Sequence, residues 1–257
     1  MGTPMIRLKK IAKTAFAASV LWSRFGIGNI NLKASRNVAV YPGLGLVYNR
    51  VKKNANTTVV LLLRGMESGV VESRKAAKSN SQNFLELSFA EISDLRNYCF
   101  FVVVRNPYSR VLSAFLNKFQ GESYKQLHGT FDLTPDGFIA FVEWLKDGGL
   151  NKNAHWDLQT KLMFLPLAKY DVVVRFENFE AEMLSLLKSK HLQPPEGRLG
   201  GLYPADVNKK TSSDSLLQSF YTPRLADMVA DLYAKDFDEL GYSRAFPEAV
   251  SRDTTRV

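Results

Sequence analysis

The chain predicts an α/β fold around a central, mainly parallel sheet, and three observations carry that expectation. Residues 100–104 form an unbroken apolar run rich in β-branched side chains, as a strand covered on both faces requires. Asn106-Pro107 breaks this run, because proline lacks the N–H a ladder needs, and Val111, Leu112, Phe115 and Phe119 then recur at helical spacing. Further apolar runs at 44–51 and 170–176 also precede helical patterns, so strands alternate with helices along the chain. A chain of 257 residues with 46% hydrophobic residues can bury one large core.

Taken in order, residues 6–28 are basic and moderately apolar. Ile11, Ala15, Ala18, Val20, Leu21 and Phe25 suit an amphipathic helix on a protein or membrane surface, then a packed helix, then a weak signal segment. The apolar stretch between Lys13 and Arg24 falls short of the roughly 20 residues of a membrane span. Ile6 stands where N-myristoylation wants Ser or Thr. After the strand at 44–51, a polar loop reaches Thr58 and a helix starts through residues 59–63. Residues 69–83 read as a surface loop, 85–87 as a short strand and 89–95 as a short helix. Thr134-Pro135-Asp136 opens a helix over 131–146, with Thr134 its N-cap and Phe138, Phe141, Val142 and Leu145 its apolar face. Residues 151–160 form a polar loop around His155-Trp156. A strand at 170–176 precedes a helix at 179–188, and 193–213 is a long loop of the kind that is often functional. One amphipathic helix over 220–240 closes the pattern, with Pro223 near its start and Gly241 past its end.

Charge is unevenly spread. Eleven cations precede the first anion, Glu67, whereas the remainder holds 23 cations against 25 anions. The positive field of the first quarter suits an anionic ligand, an anionic polymer or an acidic membrane surface; a basic arm that only aids solubility has the same composition. Cys99 is the sole cysteine, so neither an internal disulfide nor a thiolate zinc cluster can form, and His128, His155 and His191 show no ligand spacing.

Two stretches carry chemistry. Lys53-Asn54-Ala55-Asn56-Thr57-Thr58 sits between a strand and a helix. There, backbone N–H groups, threonine hydroxyls and one ammonium can wrap a phosphate. It shares the logic of a P-loop but lacks the Gly-x4-Gly-Lys-Ser/Thr spacing, which disfavours a kinase or ATPase of that type. A threonine-capped helix beside exposed lysines reads the same way. In the second stretch Arg105 ends the central strand, and Arg110 and Ser113 lie on the first turns of the next helix, a position that can hold a second phosphate. An ordinary β-α unit with solvated arginines is the alternative. Together the two suit a nucleotide phosphorylated at both ends.

This pair resembles the donor motifs of sulfotransferases that use 3′-phosphoadenosine 5′-phosphosulfate (PAPS), and most closely those of sulfotransferase family 2, the chondroitin and dermatan type of carbohydrate sulfotransferase. Val51 to Thr58 is similar to the 5′-phosphosulfate loop, and Arg105-Asn106-Pro107-Tyr108-Ser109-Arg110-Val111-Leu112-Ser113 to the 3′-phosphate motif Arg-Asp/Asn-Pro-x-x-Arg-x-x-Ser. His155-Trp156-x-x-Gln159, Tyr170-Asp171 through Glu177-Asn178-Phe179, and Tyr233-x-x-Asp236-Phe237-x-x-Leu240-Gly241-Tyr242 resemble further family segments in the same order. Lys52 replaces the usual proline before the lysine, and Asp157-Leu158 alters the His-Trp segment.

The resemblance implies a three-layer α/β sandwich with a P-loop-NTPase-like sulfotransferase fold over 41–245, a basic segment at 1–40 and a tail at 246–257. It implies PAPS as co-substrate without a metal, a carbohydrate or glycan acceptor, and no nucleic-acid partner. Lys53 would be catalytic at the 5′-phosphosulfate, with Asn54, Ala55, Asn56, Thr57 and Thr58 lining the loop and Arg105 and Ser113 holding the 3′-phosphate. Lys209 and Ser212, within 208–213, would close over the nucleotide. His155 is the candidate catalytic base, with His128 and Glu177 as alternatives. The missing cysteine pairs of many secreted members favour a cytoplasmic protein, with membrane contact through the basic N-terminus, over the Golgi lumen. A nucleotide-dependent kinase and a non-catalytic binder of anionic polymers or membranes are the rival readings.

Overall fold

The computed structural model describes residues 4–70, 73–194 and 213–247. In chain order the elements begin with α1 (Pro4–Phe25), β1 (Val38–Tyr41), β2 (Leu46–Asn49), α2 (Asn56–Ser68), α3 (Arg74–Ser79), α4 (Phe89–Asp94) and β3 (Cys99–Val104). Then come α5 (Pro107–Lys118), α6 (Glu122–His128), α7 (Pro135–Trp144), α8 (Gln159–Leu162), β4 (Val172–Arg175) and α9 (Phe179–Ser189). The chain closes with α10 (Ser213–Phe220), α11 (Pro223–Leu232) and α12 (Ala234–Leu240). Two compact units form: residues 1–105 with 159–209, and residues 106–158 with 210–257.

The first unit holds the sheet, in the order β1-β2-β3-β4. β1 runs antiparallel to β2, and β2, β3 and β4 are mutually parallel, with Leu46 opposite Cys99 and Phe101 opposite Val172. All six residues of β3 are buried, as its unbroken apolar run requires of a strand with a neighbour on each side and cover on each face. Tyr48, Phe101, Val103 and Val174 pack with Val59 and Leu63 of α2, Ala77 of α3 and Met183 and Leu187 of α9. On the alternate face Phe25 of α1 meets Phe100 edge-on at 4.8 Å. Arg24 lies over the same ring and donates to the carbonyls of Leu95 (2.7 Å) and Tyr98 (2.6 Å) and to Asp171 (2.6 Å). The C-terminal half of α1 is thus a packed helix, with Ala17, Val20, Leu21 and Phe25 buried, rather than a purely surface one.

The second unit is helical. Asn106 caps α5 by accepting the Tyr108 N–H (2.9 Å), Pro107 takes the first helical position, and Thr134 caps α7 through the Gly137 N–H (3.1 Å). Phe115, Phe119, Phe138, Phe141 and Trp156 build its aromatic core.

Several local expectations fail for physical reasons. Residues 38–41 form a strand, for which the reading named no element, because β2 supplies a partner that the short run does not advertise. Within 69–83, Ser73 accepts the Ala76 N–H and starts α3. Residues 85–87 pair with no strand and form turns. The expected helix at 220–240 is two helices, α11 and α12, preceded by the separate α10. Thr222, extended before a proline, ends one segment and caps the next, and Tyr233 adopts φ −106°, ψ 19° between α11 and α12.

Candidate functional site

In the first unit the Lys53 loop joins β2 to the N-terminus of α2. Lys53 (φ 72°) and Ala55 (φ 53°) both adopt the left-handed backbone region that side chains ordinarily avoid. The loop is held there by Asn54, which is fully buried and donates from Nδ2 to the Val103 carbonyl (2.8 Å) and to Gln159 Oε1 (2.6 Å). Gln159 closes the arrangement. Its Oε1 accepts the Arg105 N–H (3.1 Å) and its Nε2 donates to the Arg105 carbonyl (2.8 Å), so one side chain engages both polar groups of the residue that follows β3. Arg105 Nη1 in turn donates to the Lys53 carbonyl (3.1 Å), and its guanidinium lies 3.8 Å from the centroid of the Phe176 ring. The first N–H groups of α2 have no intrahelical acceptor, and that end of a helix favours an anion.

Asn54, Asn56 and Arg105 are buried, while Lys53, Ala55, Thr57 and Thr58 are half-buried. These seven candidate residues therefore share one unit, and Lys53, Asn54 and Arg105 are joined by hydrogen bonds, directly or through Gln159. Ser113 and His155 belong to the second unit, as does His128. Glu177 is exposed after β4. Lys209 and Ser212 lie outside the described residues.

In the second unit Arg110 and Ser113 are buried on α5. Arg110 donates to the carbonyls of Asp157 (2.8 Å) and Ala154 (3.4 Å), and the Tyr233 hydroxyl donates to the Trp156 carbonyl between them (2.6 Å). Burial pulls the Arg110 guanidinium below its ordinary value, countered chiefly by the buried Asp236; arginine stays charged regardless. The Trp156 indole N–H donates to the Gly149 carbonyl (3.0 Å). Together these bonds fix the loop that carries His155. The half-buried His155 ring places Nδ1 2.7 Å from Asn153 Oδ1 and 3.4 Å from the Tyr124 hydroxyl. Burial, and secondarily Lys152, hold the nearby His128 below its ordinary value.

Sequence reasoning assigned no role to Gln159, Tyr233 or Asp236 and placed Arg110 only beside a possible phosphate position, although each stood inside a quoted motif. Their spacing carried the signal but not their partners. Phe176 and Asn153 gave no distinguishing signal. Among the described residues no group of three or more His, Cys, Asp or Glu is gathered as a metal site, and no helix is long and apolar enough to cross a membrane.

No curated protein and no solved structure matches the chain. The model of the sulfotransferase family matches residues 36–243, a span running from just before β1 to just past α12. By that match, over most of its length, the chain belongs to the sulfotransferase family.

Proposed function

We propose that this sulfotransferase moves the sulfuryl group of PAPS to a hydroxyl of a carbohydrate or glycan. The observation that carries the reading is the Asn54–Gln159–Arg105 junction, which ties the lysine-bearing loop to the arginine at the end of β3. Two cationic residues on adjoining strand ends suit a nucleotide bearing phosphate at both its 5′ and 3′ positions. In this reading Lys53 and the N-terminus of α2 meet the 5′-phosphosulfate, and Arg105 with Ser113 meets the 3′-phosphate. A bond forms from the acceptor oxygen to sulfur as the bond from sulfur to the 5′-phosphate oxygen breaks. Lys53 offsets the charge that grows on that leaving oxygen. His155 takes the acceptor's proton, and adenosine 3′,5′-bisphosphate leaves.

Calorimetric titration with adenosine 3′,5′-bisphosphate, with AMP as control, tests the donor assignment. Tight binding that needs the 3′-phosphate and weakens in Arg105→Lys supports it, and equal binding of AMP overturns it. Lys53→Ala is expected to lower the turnover of radiolabelled PAPS on a glycan panel by roughly 10²–10³-fold, the size typical of losing one transition-state donor.

The first quarter of the chain also supports contact with an anionic lipid surface. Ile11, Ala15 and Trp22 fall at i, i+4 and i+11, a single stripe of α1, and all three are exposed, as are Ile27 and Leu32 beyond it. The same quarter has eleven cations and no anion before Glu67. Co-sedimentation with phosphatidylserine vesicles is expected to fall with salt, to survive Lys53→Ala and to weaken in Trp22→Asp. Equal sedimentation with phosphatidylcholine vesicles would remove the charge argument.

A further inference from the structure

We propose that Asn153 is a positioning residue that holds the His155 ring with its proton on Nδ1 and its basic lone pair on Nε2. The His155 main-chain N–H can only donate, and it lies 3.1 Å from Asn153 Oδ1. The amide of Asn153 must therefore turn its oxygen toward His155. That same oxygen is 2.7 Å from His155 Nδ1. An amide oxygen only accepts, so Nδ1 must bring the proton, since two facing lone pairs at this separation would repel. A neutral imidazole has one ring proton, so the lone pair stands on Nε2.

The other contacts agree. With its oxygen so committed, the Asn153 amide presents Nδ2 to His128 Nε2 at a long 3.5 Å, which suits an accepting nitrogen on His128. The Tyr124 hydroxyl reaches His155 Nδ1 only at 3.4 Å, so Asn153 holds the stronger claim on that proton. Asn153 is itself fixed, because its carbonyl accepts the N–H groups of Trp156 (3.2 Å) and Asp157 (3.0 Å). Arg110 and Tyr233 hold the carbonyls of Ala154, Trp156 and Asp157 in the same turn. The ring is thus set by a side chain two residues before it in a turn braced from α5 and from the residue between α11 and α12.

The kinetic consequence rests on reading His155 as the base that accepts the acceptor's proton; the tautomer itself does not. Nitrogen-15 correlation spectra of the full chain, labelled at histidine and recorded above the titration of the ring, read the tautomer directly. His155→Gln supplies the assignment. The expected spectrum has a protonated Nδ1 and a bare Nε2. Asn153→Ala is expected to shift the ring toward the Nε2–H form that free side chains favour, whereas Asn153→Asp keeps Nδ1–H. Wild type already in the Nε2–H form, or a spectrum unmoved by Asn153→Ala in a protein that still melts as wild type, overturns the proposal.

Turnover of PAPS on the glycan panel separates the two claims. If His155 is the base, Asn153→Ala lowers kcat about 10–100-fold out of the ~10²–10⁴ that a positioned base supplies, with KM little changed and with Asn153→Asp restoring part of the rate. Turnover that survives His155→Ala while the spectrum holds discards the base and leaves the tautomer standing. Loss of turnover in His155→Ala beside a spectrum that Asn153→Ala does not move discards the positioning role alone.

Discussion

At the scale of single residues, the Lys53 loop is built with side chains where glycine would cost less. Ala55 sits at φ 53°, ψ 18°, a left-handed conformation that is roughly 1–2 kcal/mol unfavourable for a residue with a Cβ. Ala55→Gly is expected to stabilise the protein by about 1 kcal/mol in urea titration, with donor affinity retained because the loop would act through its backbone there. Cys99 shows the opposite economy. It is buried at the start of β3, and burial pushes its thiol up to about 11. The native protein is expected to resist iodoacetamide at pH 8 and to react once unfolded, which mass spectrometry of the labelled chain reads out. Rapid labelling of the folded chain would show that β3 opens far more readily than a central strand should.

At the scale of elements, start signals decide more than length. Ser88 accepts the Glu91 N–H (3.2 Å) and Glu91 accepts the Ser88 N–H (2.6 Å), a reciprocal cap that begins the six-residue α4. Ser88→Ala is expected to cost about 1 kcal/mol. The Ser88 bonds hold the Glu91 carboxyl below its ordinary 4.5, so its contribution is present above that pH and fades as pH falls below it. The stability gap between wild type and Glu91→Gln, read by urea unfolding, should therefore be open at pH 7 and shrink at pH 4 and below. Legibility follows the same local logic. β3 was readable because its run is long and wholly apolar. The starts of α5 and α7 were readable because Asn106-Pro107 and Thr134-Pro135 are local chemistry. β1 was not, since four residues gain a strand's identity only from β2 beside them. The break at Tyr233 was not, because the apolar period runs through it. In the site, the residue types at Lys53 and Arg105 stood in the sequence, but the side chain that binds their loops together stood far from both.

At the scale of the whole chain, that distance has an energetic meaning. Gln159 lies 105 positions from Asn54 and 54 from Arg105, and it contacts both. Gln159→Leu removes three hydrogen bonds from a fully buried place and leaves the Asn54 amide and the Arg105 main chain short of partners, a loss of about 2–4 kcal/mol read by denaturation. Adenosine 3′,5′-bisphosphate affinity is expected to fall with it; unchanged affinity would separate the brace from nucleotide binding. The brace also imposes an order of events. A chain still being synthesised cannot seat Asn54 or finish the end of β3 until residue 159 has emerged, because both wait for the same amide. The Lys53 loop is then a late product of folding, and a ligand that engaged it would favour only those molecules whose long-range closure is complete.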